Sequence, residues 1–484
     1  MSNLSDLIPA GGGQNNTDFV ADGGITSGKP VILTAAGKAA PIAVSAADPV
    51  GVGTLVAFDT SASTVWPQAT FDSTNNKIVI GYNISGTGAY AIVGTVSGTS
   101  ISFGTAVAIS GEGLSYGSIT YDSNANRVVL SYRDYNNSDY GTSVVGTVSG
   151  TSISFGTPVV FASANVPGTS STFDSSNNKV VIVYKDGSDG NKGKGIVGTV
   201  SGTSISFGTA VEFSSQCDKV NCTFDSSNNK VVVQYRNEDS SAHGTANVGT
   251  VSGTSISFGA DAVFNASGTS MIGSSFDTTA NKVVISYQDG GNSDYGTGIV
   301  GTVSGTSISF GAEGVFESAA TAETFCAYDA SVDRTTIVYQ DSANSNYGTV
   351  VNGAVSGTSI SFGTPATFTS GTTTYISCAY DSNAAKVVGA CFDATNGKAV
   401  VFSGGSSNLT ATNLLGIASG AILDTATGTI NTWGSRNEVQ TGLTIGSDYY
   451  VQEDGTITTT STSPAQLIGT AISATQINIK DYTG

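Results

Sequence analysis

The sequence predicts an all-β protein whose main part is a seven-bladed β-propeller, and three observations lead to this prediction. The segment GTVSGTSISFG at residues 94–104 returns almost unchanged five more times, at intervals of 51 or 52 residues. A second motif, an aromatic residue followed by an Asp/Asn-rich turn, occurs seven times with the same period. The chain is also rich in Gly (62 residues) and poor in charged residues (11%), which is typical of short strands joined by tight turns.

Each repeat of about 52 residues predicts four antiparallel strands, which we call A, B, C and D. In the third repeat, strand A ends at the turn that begins with Phe173-Asp174, and strand B is the apolar run Val180–Tyr184. Strand C ends at the two-residue turn Ser201-Gly202, and strand D is the alternating segment Ser204–Phe207. A strand that is apolar on both faces is one covered on both sides, as in the middle of a propeller blade.

The ends of the chain predict how the propeller closes and what flanks it. The segment Gly51–Asp59 resembles a D strand but precedes the first A strand, while the seventh repeat loses its pattern after strand C. We therefore expect the N-terminal strand to complete the last blade. The predicted domains are an N-terminal leader with the first strands of a small β-domain (1–50), the seven-bladed propeller (51–410), and the C-terminal part of the small β-domain (411–484).

Charge and cysteine usage exclude several classes of function. With 36 acidic and 18 basic residues the net charge is −18, which disfavours nucleic acid and anionic membranes as partners. The N-terminus predicts no signal peptide and the chain predicts no transmembrane segment, so we expect synthesis and assembly in a cytoplasm. The five cysteines have no metal-binding spacing, and we interpret them as reduced thiols; three of them (Cys222, Cys326 and Cys378) stand at small-residue positions of A strands.

Both ends of the chain carry a pattern of turns and strands shared with known proteins. The C-terminal part of this pattern is Gly442–Ile457 followed by Leu467–Lys480, and the N-terminal part is Ile25–Leu33. It resembles a module of bacteriophage tail-fibre and virion-surface proteins. The resemblance implies a virion structural protein that contacts other virion proteins through its terminal β-domain and is a homo-oligomer, located in the virion after assembly in the host cytoplasm.

Residues suited to catalysis are scarce, so we predict that the protein is not an enzyme. The single histidine, His243, stands where other repeats have Tyr140, Tyr295 and Tyr347, which favours a packing role over general-base catalysis. The sequence lacks the arginine cluster and the Ser-x-Asp-x-Gly-x-Thr-Trp turns of sialidase propellers. A glycan-degrading enzyme that uses two loop carboxylates stays open as an alternative, because the sequence does not give the separation that such a pair requires.

One face of the propeller is the expected recognition surface. The A–B and C–D turns hardly change between repeats, whereas the D–A and B–C connections vary in length, charge and aromatic content, as binding loops do. We predict no cofactor, although the acidic B–C loops leave calcium binding possible. The residues predicted to bind a ligand are the aromatics and polar side chains of the varied face: Trp66, Tyr116, Asp134, Tyr135, Asn137, Asp186, Asp189, Asp239 and Asp289.

The function predicted from these observations is that of a virion appendage protein, a tail fibre or comparable surface fibre. Its varied propeller face would recognise a host-surface glycan or protein, with aromatic rings and carboxylates contacting a sugar. The high negative charge favours a neutral target or one bridged by calcium. Two alternatives stay open: a capsid decoration protein without a ligand, and the glycan-degrading enzyme.

Overall fold

The computed structural model describes residues 15–42, 44–109, 115–407, 409, 412–451, 455–459 and 466–480, with backbone alone for 44–48, 115–116 and 405–407. The chain divides into two compact units, one formed by residues 1–46 and 405–484 and the other by residues 47–404. The sequence analysis places these boundaries at 50/51 and 410/411. The observed boundaries fall within two strands that pair with each other, Val44–Val52 and Gly397–Ser407.

The described residues form strands and three single-turn 3₁₀ helices, so the all-β class is confirmed. The strands before the repeats are β1 (Asn16–Val20), β2 (Pro30–Leu33), β3 (Ala39–Pro41), β4 (Val44–Val52) and β5 (Val56–Asp59). No helix in these ranges is long and apolar enough to cross a membrane.

The first three repeats each form a separate antiparallel sheet. Sheet 1 contains β6 (Thr64–Asp72), β7 (Lys77–Ile84), β8 (Gly88–Ser97), β9 (Ser100–Phe103) and β10 (Val107–Ala108). Sheet 2 contains β11 (Ser115–Asp122), β12 (Arg127–Asp134), a 3₁₀ turn (Tyr135–Asn137), β13 (Tyr140–Ser149), β14 (Ser152–Phe155) and β15 (Val159–Asn165). Sheet 3 contains β16 (Thr169–Asp174), β17 (Lys179–Asp186), β18 (Lys192–Ser201), β19 (Ser204–Phe207) and β20 (Val211–Ser214).

The next three repeats are joined by long strands that leave one sheet and enter the next. Sheet 4 contains β21 (Cys217–Asp225), β22 (Lys230–Asn237), a 3₁₀ turn (Glu238–Ser240), β23 (His243–Ser252), β24 (Ser255–Phe258) and the start of β25 (Ala262–Asp277). Sheet 5 contains the rest of β25, β26 (Lys282–Asp289), a 3₁₀ turn (Gly290–Asn292), β27 (Tyr295–Ser304), β28 (Ser307–Phe310) and the start of β29 (Gly314–Asp329). Sheet 6 contains the rest of β29, β30 (Arg334–Asp341), β31 (Tyr347–Ser356), β32 (Ser359–Phe362) and β33 (Ala366–Thr372).

Sheet 7 combines strands from both ends of this unit. It contains β34 (Thr374–Asp381), β35 (Lys386–Phe392) and β36 (Gly397–Ser407), and β36 pairs with the N-terminal strands β4 and β5. The register of the last pairing sets Gly397 opposite Asp59 and Ala399 opposite Val56. In sheets 1 to 6 the D strand is split, because the C strand pairs with a Ser-Ile-Ser-Phe segment at one end and with a second segment at the other.

Apolar cores lie between neighbouring sheets, as the continuous apolar B strands predict. Val129 of sheet 2 packs with Ile182 of sheet 3, and Val388 of sheet 7 packs with Ile78 of sheet 1. The A strands contact one another in sequence from β6 to β34, and β34 also contacts β6. All five cysteines are free and buried, and burial raises the pKa of the Cys222 and Cys391 thiols to about 12, so these thiols stay protonated.

The A–B turn explains why an Asp closes every A strand. In sheet 3 the Asp174 carboxylate accepts hydrogen bonds from the backbone amides of Ser176 (2.9 Å) and Asn177 (3.0 Å) and from the Asn177 side chain (2.9 Å). The turn ends at Asn178 in the left-handed conformation (φ 55°), which Asn tolerates better than most residues. This Asp-anchored turn is the fixed point from which the repeats are aligned below.

The second unit contains two further sheets built from both chain ends. Its remaining strands are β37 (Leu414–Ala418), β38 (Thr427–Asn431), β39 (Arg436–Asn437), β40 (Asp448–Val451), β41 (Ile457–Thr458), β42 (Gln466–Ser473) and β43 (Gln476–Ile479). One sheet has the order β1-β38-β37-β2-β3, and the other has the order β39-β43-β42-β40-β41. Ile32 and Leu414 of the first sheet share a core with Val451 and Ile468 of the second.

Candidate functional site

The candidate site begins with a backbone irregularity at the start of the A strands. We define the entrance position as the residue six places before the Asp that closes each A strand. In sheets 1, 4, 5, 6 and 7 the pairing register of strand A with strand B shifts at this position, which marks a β-bulge. Sheet 2 shows a shift at the same place, whereas sheet 3 pairs regularly.

The entrance residues vary between sheets in size, charge and aromatic character, although the Asp-anchored turn that follows each A strand hardly changes. In sheet order they are Trp66, Tyr116, Gly168, Lys219, Met271, Glu323 and Tyr375. Five of them have φ between 49° and 55°, namely Trp66, Lys219, Met271, Glu323 and Tyr375. A bulky residue in this left-handed region costs on the order of 1–3 kcal/mol, and such strain clusters at functional sites.

The five strained residues border one cavity. Its volume is about 400 Å³, and residues of all seven A strands or of the segments leading into them contribute to its wall. Besides the five entrance residues, the lining comprises Gln68, Gly117, Ser118, Pro167, Gly168, Thr169, Ser170, Lys185, Asp218, Val220, Asn221, Ile272, Thr324, Phe325 and Ile376. The cavity therefore opens at the end of the A strands that the D–A connections enter.

Two aromatic side chains meet on one side of this cavity. The ring centroids of Trp66 and Tyr375 are 5.3 Å apart, with an angle of 60° between the ring planes. Both side chains are half-buried, so part of each ring stays accessible from the cavity. A tilted pair of this kind holds both rings in place and presents an apolar surface beside polar groups.

Four charged side chains line the cavity. The Lys185 ammonium and the Asp218 carboxylate form an ion pair with a nitrogen–oxygen distance of 3.3 Å. Burial raises the pKa of Glu323 above its usual value, while the backbone amides of Ile376 and Tyr375 and the Lys219 charge act in the opposite direction. Lys219 itself is exposed. Of the four charged side chains, that of Lys219 is the most exposed.

The predicted site residues are not brought together. Trp66 lines the cavity, and Tyr116 occupies the entrance position of sheet 2, but its side chain lies outside the described residues. The remaining seven belong to B–C loops, and none of them lines the cavity. Tyr135 is 44% exposed and lies under the Arg133 guanidinium, 4.7 Å from the ring centroid, and Asn137 is an exposed residue of the same 3₁₀ turn.

The B–C loop carboxylates are engaged in local structure. Asp134 and Asp289 are buried and accept hydrogen bonds from the backbone amides of the 3₁₀ turns that follow them. The Lys194 ammonium lies 2.8 Å from carboxylate oxygens of both Asp186 and Asp189. Asp239 accepts a hydrogen bond from the Ser215 hydroxyl. Their role in ligand binding stays a prediction, and the structure shows them stabilising turns.

In the part of the chain that the structure describes, no cluster of three or more His, Cys, Asp or Glu side chains could hold a metal ion. His243 begins strand β23, and its backbone pairs with Asn237, just as Tyr140 pairs with Asp134 in sheet 2. Calcium binding by these loops therefore remains a prediction without further support.

Four entrance residues were missed as ligand-binding candidates: Lys219, Met271, Glu323 and Tyr375. The signal for them was present, since aligning the repeats on the Asp that closes strand A gives six different residue types among the seven residues at one position. The B–C carboxylates attracted the prediction because Asp serves equally well as a turn residue and as a ligand. The better indicator of the site was the variation in residue type at a fixed distance from the Asp that closes every A strand.

Comparison with known proteins identifies no relative in sequence. No protein-family model and no curated protein matches the chain. Similar solved structures include a protein of unknown function from Dyadobacter fermentans (9% identity, TM-score 0.45, covering 73% of this chain and 99% of that one). The fucose-specific lectin from Aleuria aurantia (12%, 0.40, 63% and 96%) and a leech intramolecular trans-sialidase (8%, 0.41, 71% and 68%) are similar at the same level. Similarities this distant carry no information about what the chain binds.

Proposed function

We propose that sheets 1 to 7 are the blades of a closed seven-bladed propeller, with the N-terminal strands completing the last blade. Two contacts support this arrangement. The A strand of sheet 7 contacts the A strand of sheet 1. In addition, a Cβ at Gly53 would clash with the carbonyl oxygen of Thr99, as a Cβ at Gly104 would clash with that of Thr151. The contact between sheets 7 and 1 thus repeats the contact between sheets 1 and 2.

We propose that this propeller binds a glycan in the cavity at the entrance of the A strands. The observation that carries the proposal is the strained backbone of five entrance residues that surround one cavity. Proteins retain such strain where a side chain must point in a particular direction, as in ligand sites. Here the strained residues include the aromatic pair Trp66 and Tyr375.

The chemistry of the wall favours a sugar over an apolar ligand. The half-buried Gln68 of the wall carries an amide that can donate and accept hydrogen bonds, and the charged side chains described above also line the cavity. The Trp66 and Tyr375 rings suit the apolar face of a pyranose, and a volume of about 400 Å³ falls in the range of small-ligand sites.

Screening a glycan array with the whole protein, followed by calorimetry on the glycans it retains, tests this proposal. Trp66→Ala should weaken the affinity about ten-fold or more, because it removes half of the aromatic pair. The matched control is Tyr135→Ala, which removes an exposed aromatic of a B–C loop and should leave the affinity unchanged. Binding that survives Trp66→Ala but not Tyr135→Ala would overturn the proposal in favour of the B–C loops.

The same samples separate binding from catalysis. We propose a binding protein, so the retained glycans should be recovered intact after prolonged incubation. Release of shorter oligosaccharides would instead support the glycan-degrading enzyme. In that case Asp218 and Glu323, the two carboxylates of the cavity wall, would be the first residues to replace.

The finer part of the predicted function is a virion appendage that is a homo-oligomer and carries the propeller to a host surface. It rests on the resemblance of the terminal segments to phage tail-fibre and virion-surface proteins, and we retain it as a proposal. Antibody labelling of intact particles tests it: label at the tail supports a fibre, and label over the head supports capsid decoration. A particle preparation free of the protein would contradict both.

A further inference from the structure

The Lys219 side chain is placed differently from the other charges of the cavity. Lys185 is paired with Asp218. Glu323 is half-buried, and backbone amides of the neighbouring strand stabilise its charge. Lys219 is exposed at the cavity, and within the described ranges no carboxylate oxygen lies within 4.0 Å of its ammonium group.

The sheet order places Lys219 away from the aromatic pair. Trp66 and Tyr375 stand on the A strands of sheets 1 and 7, and Lys219 stands on the A strand of sheet 4. In a closed ring of seven, sheet 4 is three places from either of them. A sugar ring that stacks on the aromatic pair would therefore direct its opposite edge toward the Lys219 side of the cavity.

The strained backbone at Lys219 matches this role. Its φ of 50° lies in the left-handed region, where Asn or Gly would be accommodated at lower cost. Sheet 3 shows that the fold does not require this conformation, because Gly168 at its entrance position is outside the left-handed region and the following strand β16 pairs with its B strand without a shift. A lysine retained in this conformation indicates that its ammonium group has a use in the cavity.

We propose that the cavity selects glycans that carry a carboxylate, such as those ending in a hexuronic acid, and that Lys219 pairs with that carboxylate. This inference rests on the proposed glycan-binding function. It differs from the expectation of a neutral target based on the net charge of −18. At physiological ionic strength charges are screened over about 8 Å, so the nearby lysine outweighs the distant acidic surface.

Pairs of glycans that differ only in the oxidation of the terminal C6 provide the test, for example glucose-terminated and glucuronate-terminated oligosaccharides from the array. For the pairs that bind, the acidic member should bind about ten-fold tighter, as a charge-assisted hydrogen bond contributes. Lys219→Gln should remove this preference, so that the ratio of the two affinities falls to about one. Lys219→Arg should restore most of it.

A matched control separates local from overall charge. Lys282→Gln makes the same change in net charge at the start of strand β26, beyond the A–B turn and so at the other end of sheet 5. It should keep the preference for the acidic glycan. Equal or weaker binding of the acidic member, or equal loss with both lysine substitutions, would overturn the inference and leave the proposed function standing. Retention of no glycan by the array would overturn the proposed function and the inference together.

Discussion

In five of the seven sheets, the entrance of the A strand and the A–B turn at its other end contain the same left-handed backbone conformation but fill it with different residues. At the A–B turn the left-handed residue has φ of 54–55° in all seven sheets, and it is Asn in five of them, Asp333 in sheet 6 and Ala385 in sheet 7. At the entrance, φ of 49–55° is occupied by Trp66, Lys219, Met271, Glu323 and Tyr375. The turn uses residues that suit the conformation, while the entrance retains bulky ones that do not. The difference indicates selection for folding at one end and for a ligand at the other.

The largest expected effect is on stability, and it arises at a contact between two neighbouring sheets. Gly208 follows the Ser204–Phe207 segment, and a Cβ there would clash with the carbonyl oxygen of Thr254 in the next sheet. Gly208→Ala should therefore lower the free energy of unfolding by roughly 3 kcal/mol, as overpacking at a closed contact does. Denaturant unfolding measures the loss, and calorimetry of the folded fraction should show unchanged glycan affinity.

The control for Gly208→Ala is a substitution at a second glycine of the same sheet. Gly202 lies in the C–D turn with φ 62°, and a Cβ there would meet open space. Gly202→Ala should cost about 1 kcal/mol, since only the backbone conformation is strained. Similar losses for the two variants would show that contact between sheets is not what requires Gly208.

Exchanging the residue types found at the entrance and at the A–B turn should change the free energy of unfolding less, and in opposite directions at the two positions. Met271→Asn should raise the free energy of unfolding by about 0.5–1 kcal/mol, because Asn adopts the left-handed conformation at lower cost. Asn229→Met, at the exposed left-handed position of the A–B turn in sheet 4, should lower it by a similar amount. Thermal unfolding of the two variants measures both. Destabilisation by Met271→Asn would mean that the entrance residue is retained for packing and not for a ligand.

The smallest expected effect is a change with pH in the affinity of the cavity for an acidic glycan. Glu323 has a raised pKa, so its carboxylate becomes protonated above the usual 4.5 as the pH falls from 7. Loss of this negative charge should strengthen binding of a carboxylate-bearing glycan a few-fold. Binding of the neutral partner glycan should stay constant.

Calorimetry at pH 7 and pH 5.5 measures the change, with Glu323→Gln as the reference. This variant mimics the protonated carboxyl, so at pH 7 the acidic glycan should bind to it more tightly than to the native protein. A pH dependence that persists in Glu323→Gln would assign the effect to another group.

The strands were predictable from the sequence because each depends on short-range patterns. The apolar segments between the Asp-anchored A–B turn and the Ser-Gly C–D turn specify strands B and C, whatever residues come after them. The all-β class and the pairing of β5 with β36 therefore agree with expectations drawn from the repeat alone. The entrance bulge was not predictable in this way, because Trp66 or Lys219 carries no local signal for a left-handed backbone.

The site was only partly predictable for the same physical reason. Trp66 was identified because tryptophan is conspicuous on a polar face, whereas Tyr375 is one of 19 tyrosines and Glu323 one of 36 acidic residues. Their common property is a place at the cavity, which appears once the A strands are side by side. The loop carboxylates have a favourable composition for binding but make hydrogen bonds and ion pairs within their own turns.

The central claim, that the ligand occupies the entrance cavity, is tested most directly by the fluorescence of Trp66. The chain has two tryptophans, Trp66 and Trp433, and the second lies outside the propeller unit. In Trp433→Phe the emission reports on the cavity alone. Titration with a glycan that binds the native protein should protect Trp66 from acrylamide quenching, saturating at the affinity found by calorimetry. Full glycan binding with Trp66 as open to quenching as before would contradict the claim.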